Sequence, residues 1–102
     1  MNILLVCAGG MSTSLLVEKM KKEIKKRNLK DINVEANAIE KLESIIGDYD
    51  VILVGPQIRY KEPYIKSLCE EKGKPYIVIP PAVYGLVDGA KTLDLAINLR
   101  NS

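Results

Sequence analysis

Short apolar runs alternate along this chain with longer stretches in which apolar residues return every third or fourth position. The first run, Ile3-Leu4-Leu5-Val6, has no polar interruption and predicts a strand buried on both faces. From about Ser12 to Arg27, Leu16, Met20 and Ile24 recur at i, i+4 and i+8, the spacing of a helix with one apolar face. Asn33 to Ala38 is a less apolar strand, as an edge strand would be. Leu42, Ile45 and Ile46 mark a short helix with Gly47 as its C-cap. Val51 to Val54 is fully apolar and predicts a central strand. Pro56 suits the first turn of a helix reaching about Lys72, where Gly73-Lys74-Pro75 breaks it. Tyr76 to Ile79 is a fourth strand, Pro80 to Gly85 a stiff loop, and Asp88 the N-cap of a last helix to about Arg100.

Four strand-then-helix units in succession predict an α/β fold of three layers. A four-stranded parallel sheet would carry helices on both faces, joined by right-handed crossovers. The strand order expected is 2-1-3-4, with the chain reversing direction between strands one and three. Ligands of such sheets bind outside the strand C-termini at that switch point. The loops there are Cys7 to Thr13 and Gly55 to Gln57, with Pro80 to Gly89 beside them. No linker or low-complexity stretch interrupts the pattern, so residues 1–102 read as a single domain.

Composition narrows the function classes. Of 102 residues, 47% are hydrophobic and 27% charged, the balance of an ordinary soluble protein. A net charge of +2 gives no footprint for nucleic acid or an anionic membrane surface. No apolar stretch approaches the ~20 residues of a membrane span, so no direct membrane insertion is expected. With no histidine, the chain holds no Ser-His or Cys-His pair, and neither a metal site nor a cofactor is expected. The two cysteines read as reduced thiols of a cytoplasmic protein.

One of those thiols carries the candidate chemistry. Cys7 ends the first apolar run, and Ala8-Gly9-Gly10-Met11-Ser12-Thr13-Ser14 leads from it into the first helix. Backbone N–H groups and a helix N-terminus favour negative charge there, on a thiolate or on an attached phosphoryl group. Gly9 and Gly10 permit close backbone approach, and Ser12, Thr13 and Ser14 add hydroxyls. Small cysteine phosphatases keep an arginine six residues after the nucleophile, but Thr13 stands at that position. A loop without any cation suits holding a phosphoryl group better than hydrolysing it. Gln57 and Tyr84, on the neighbouring loops, are supporting candidates alongside Ser14. Cys69 falls roughly 20 Å along the third helix from Pro56, toward the other end of the sheet, and reads as inert. The basic run from Lys19 to Arg27 is interleaved with Glu18 and Glu23; it reads as a solvated face with a Glu18–Lys22 pair.

These residues resemble the IIB component of the lactose/cellobiose (and diacetylchitobiose) branch of the bacterial sugar phosphotransferase system. The resemblance rests on Cys7 with Gly10-Met11-Ser12-Thr13-Ser14-Leu15-Leu16, then Gly55-Pro56-Gln57 with Tyr60, then Tyr84-Gly85 with Val87-Asp88-Gly89. It implies a fold like that of the low-molecular-weight tyrosine phosphatases. It also implies a function: Cys7 accepts a phosphoryl group from a phosphohistidine of a IIA partner. That group then passes to a disaccharide, of cellobiose, lactose or chitobiose type, held by a membrane-embedded IIC partner. The loop from Ala8 through Gly9, Gly10, Met11 and Ser12 to Thr13 would bind the phosphoryl oxygens. A carrier that docks two partners in turn is expected to be a monomer. The alternative is a stand-alone cysteine phosphatase or arsenate reductase.

Overall fold

The computed structural model describes residues 1–8 and 12–101, Ser12 by its backbone alone. Its strands are β1 (Asn2–Cys7), β2 (Asn33–Ala38), β3 (Val51–Val54) and β4 (Tyr76–Val78). All pair in parallel, in the order β2-β1-β3-β4. The helices are α1 (Ser12–Lys26), α2 (Leu42–Ile45), α3 (Glu62–Lys72), α4 (Pro81–Gly85) and α5 (Gly89–Asn101).

The alternation of side chains along β1 and β3 divides the core in two. Ile3, Leu5, Val51 and Leu53 face Leu16, Val17 and Met20 of α1 and Leu93 and Ala96 of α5. Leu4, Val6, Ile52 and Val54 face Leu42 of α2 and Ile65, Leu68 and Cys69 of α3. The two inner strands are buried along almost their whole length, which is why their sequences are continuous apolar runs. Each fully buried Leu or Ile contributes on the order of 1.5–3 kcal/mol from lost contact with water. β2, at the edge, keeps only Val34 fully buried.

Several boundaries differ from the sequence expectation for local reasons. The helix expected from Pro56 to Lys72 is broken. A 3₁₀ stretch, Pro56–Lys61, kinks at Ile58 before α3 begins with Pro63 in its first turn. Proline has no N–H and restricts the residue before it, so one uninterrupted helix does not pass through that point. Gly47 is not a helix C-cap; it lies inside a 3₁₀ turn, Ile46–Asp48, that continues α2 to Tyr49. The left-handed cap is Gly73 at φ 68°, with Lys74 N–H closing onto the Cys69 carbonyl at 2.8 Å. Pro80 to Gly85 is not a loop, because Pro81 starts the short helix α4. Val87, at φ 49°, then turns the chain while its N–H bonds to the Tyr84 carbonyl at 3.0 Å. Asp88 caps α5 as expected, its Oδ1 accepting the Lys91 N–H at 3.0 Å.

Candidate functional site

Cys7 is the last residue of β1, at the C-terminal edge of the sheet, and is 8% exposed. Its side chain falls on the same face as Ile3 and Leu5, toward α1, by the period-two alternation of the strand. Thr13, second residue of α1 and 2% exposed, donates its hydroxyl to Cys7 Sγ at 3.3 Å. The Cys7 thiol in turn donates to the Asn37 carbonyl of the adjoining strand at 3.6 Å. The sulfur is therefore fixed from two sides, with the first turn of α1 against it. On ionisation the thiol ceases to donate to Asn37, while the Thr13 hydroxyl stabilises the new negative charge.

The loops after β3 and β4 close on the same edge. Gly55 N–H donates to the Val6 carbonyl at 2.9 Å, and Ile79 N–H to the Val54 carbonyl at 2.8 Å. A Cβ placed on Gly55 would lie 2.9 Å from Gln57 Oε1, 3.4 Å from the Val6 oxygen and 3.9 Å from Tyr84 Cε1. Gln57 and Tyr84 thus both come within 4 Å of one point at Gly55, beside the carbonyl of the residue that precedes Cys7. Ala8 is exposed and borders a groove of about 440 Å³ lined by Ile39, Glu40, Ile58, Tyr60, Lys61 and Tyr64. Ser14 is exposed on the first turn of α1, and Leu15 beside it is 51% exposed. Gly9, Gly10, Met11 and the Ser12 side chain lie outside the described residues.

Sequence reasoning placed Cys7, Thr13, Gln57 and Tyr84 at one edge, and the structure brings them there. It missed the Asn37 carbonyl and the groove flanked by Tyr60 and Tyr64. A backbone acceptor leaves no mark in a sequence, whereas two tyrosines four residues apart after a strand C-terminus are a visible signal. Cys69 is buried against the opposite face of the sheet, and burial pushes its thiol up to about 11. Both cysteines are free thiols. The expected Glu18–Lys22 pair is replaced: among the described residues Arg27 bonds Glu23 at 2.6 Å and Asp94 at 2.7 Å, tying α1 to α5.

Comparison with known proteins decides the family. The chain matches the family described as "PTS system, Lactose/Cellobiose specific IIB subunit" over residues 2–95. It belongs to that family. The galactose-specific EIIB component of Lactococcus lactis subsp. cremoris is 38% identical, over 97% of this chain and 95% of its own length. The cellobiose-specific EIIB component of Lactococcus lactis subsp. lactis is also 38% identical, with the same coverage. The oligo-beta-mannoside-specific EIIB component of Bacillus subtilis is 33% identical, over 96% of this chain and 94% of its own length.

Solved structures agree. The cellobiose-specific IIB component from Borrelia burgdorferi superposes with a TM-score of 0.85 at 40% identity, covering 99% of this chain and 92% of that one. The lactose-specific IIB domain from Streptococcus pneumoniae reaches 0.87 at 20% identity, covering 97% and 96%, which shows the shared fold. The fold of these IIB domains is that of the low-molecular-weight tyrosine phosphatases, as expected. As a IIB component, the protein is a phosphotransferase of sugar uptake that works with IIA and IIC partners. No helix among the described residues is long and apolar enough to cross a membrane.

Proposed function

We propose that Cys7 is the phosphoryl acceptor of this IIB component and that residues 1–102 act as one carrier domain. The Cys7 thiolate attacks the phosphorus of a IIA phosphohistidine. An S–P bond forms as the N–P bond breaks, and the proton given up by the thiol ends on the imidazole nitrogen. A sugar hydroxyl oxygen, held by IIC, then attacks the same phosphorus. The S–P bond breaks, and the hydroxyl proton is returned to the sulfur. The observation that carries this reading is the Thr13 hydroxyl 3.3 Å from Cys7 Sγ at the start of α1. A neutral donor steadies the anion without the fixed cation that a phosphatase supplies to its transition state. In this reading Ala8, Gly9, Gly10, Met11, Ser12 and Thr13 bind the phosphoryl oxygens, with Ser14, Gln57 and Tyr84 in support. The transported sugar is a disaccharide of cellobiose, lactose or chitobiose type, and the carrier works in the cytoplasm as a monomer.

The test is sugar phosphorylation in a reconstituted system with phosphoenolpyruvate, the general phosphotransfer proteins, IIA and IIC. Cys7→Ser abolishes transfer and keeps the wild-type fold, whereas Cys69→Ser is silent. Transfer surviving in Cys7→Ser, or lost in a folded Cys69→Ser, contradicts the assignment.

A further inference from the structure

Gly55 has φ −63° and ψ 138°, ordinary extended values that alanine adopts without strain. Its conformation gives no reason for a glycine, and a glycine there weakens the fold through the entropy of the unfolded chain. The reason lies in what occupies the place of a side chain. Of the atoms around a Cβ at Gly55, only Gln57 Oε1, at 2.9 Å, is closer than real Cβ contacts allow. That atom is the far end of an exposed, flexible side chain, so an added methyl group displaces it without disturbing the backbone. Gly89 is the opposite case: a Cβ there would lie 2.6 Å from the carbonyl carbon of Lys19, so its role is packing.

We propose that Gly55 is a positioning residue for phosphoryl transfer, its missing side chain being the seat of the Gln57 carboxamide beside the strand end that carries Cys7. The proposal rests on the reading of Cys7 as acceptor. The Val6 carbonyl lies 3.4 Å from the same point, and Val6 directly precedes Cys7. The Tyr84 ring edge lies 3.9 Å from that point, at ordinary van der Waals distance. With its oxygen seated there, the Gln57 carboxamide keeps an NH2 group with two N–H donors, the chemistry that suits the acceptor oxygens of a phosphoryl group on Cys7. Gly55 acts only through Gln57, and this makes its effect separable from a structural one.

The experiment compares wild type, Gly55→Ala, Gln57→Ala and the double variant. Transfer from phospho-IIA is followed by rapid quench with intact-mass detection, and each protein is melted. Gly55→Ala and Gln57→Ala are each expected to slow transfer by about tenfold to a hundredfold, since small misplacements of a transition-state group cost that much. The double variant is expected to be no slower than Gln57→Ala, and Gly55→Ala to melt at or above the wild-type temperature. Wild-type rates in either single variant overturn the proposal. So does a double variant in which the two losses multiply, or a large drop in the melting temperature of Gly55→Ala. Absence of any adduct in wild type is a different result, because it removes the carrier reading itself and this proposal with it.

Discussion

Thr13 stands where a small cysteine phosphatase carries its arginine, buried and with its hydroxyl 3.3 Å from the Cys7 sulfur. A hydroxyl can steady a thiolate and release it again, whereas a guanidinium adds a full charge that favours the transition state of hydrolysis. Replacing Thr13 by valine keeps the shape and removes the donor. Acceptance of the phosphoryl group is expected to slow on the order of tenfold to a hundredfold, with Thr13→Ser near wild type, as read by rapid quench. Equal rates in wild type and Thr13→Val would show that the hydroxyl is not part of the chemistry. At this scale the sequence was legible where side chains carry the function. The position of Cys7 after an apolar run and the threonine six places later are the two features of the sequence that favour a carrier over a phosphatase. The Asn37 carbonyl, 3.6 Å from the sulfur, was not legible, since any residue type supplies a carbonyl.

Helix α1 presents Thr13, Leu16, Val17 and Met20 to the sheet, and α5 lies across it with Gly89 at the crossing. The α5 N-terminus comes so close that a Cβ at Gly89 would lie 2.7 Å from both the Cβ and the carbonyl oxygen of Lys19. Backbone is on the other side of that contact, so the neighbour has no cheap way to move. Gly89→Ala is expected to destabilise the protein by roughly 1–3 kcal/mol, measured as a lower denaturant midpoint. An unchanged midpoint would mean that the helices slide apart without cost. The periodicity of α1 and the Asp88 cap of α5 were readable because each is a repeating or local signal. The break in the third helix and the short α4 were not, although both depend on prolines in plain view. Pro63 and Pro81 each begin a helix, and deciding between an interruption and a start needs the packing of Ile58 and Ile65 beneath.

Across the whole molecule the two ends of the sheet do different work. The C-terminal edge gathers Cys7, Thr13, Gly55, Gln57 and Tyr84, while the opposite edge is tied together by Asp50. Its carboxylate accepts the Asn2 N–H at 2.7 Å and meets Arg100 at 3.1 Å, joining β1, β3 and α5. The Asn2 hydrogen bond, with help from Arg100, holds the Asp50 carboxyl below the ordinary value of 3.8. A carboxylate depressed on folding stabilises the protein above its unfolded pKa, and that contribution disappears as pH falls through the folded one. The stability gap between wild type and Asp50→Asn is therefore expected to be full at neutral pH and to shrink below about pH 4. A gap that grows in acid would reverse the sign. The sheet order followed from the alternation of strands and helices alone, because parallel connections leave few topologies open. The central claim concerns the other edge, and intact and peptide mass spectrometry tests it most directly. The protein would be incubated with phosphoenolpyruvate and the general phosphotransfer proteins, with and without IIA. The expected result is a single phosphoryl adduct on Cys7 that requires IIA and persists until the IIC acceptor and its sugar are added. No adduct on Cys7, or inorganic phosphate released by this protein alone, would contradict the account and favour a phosphatase.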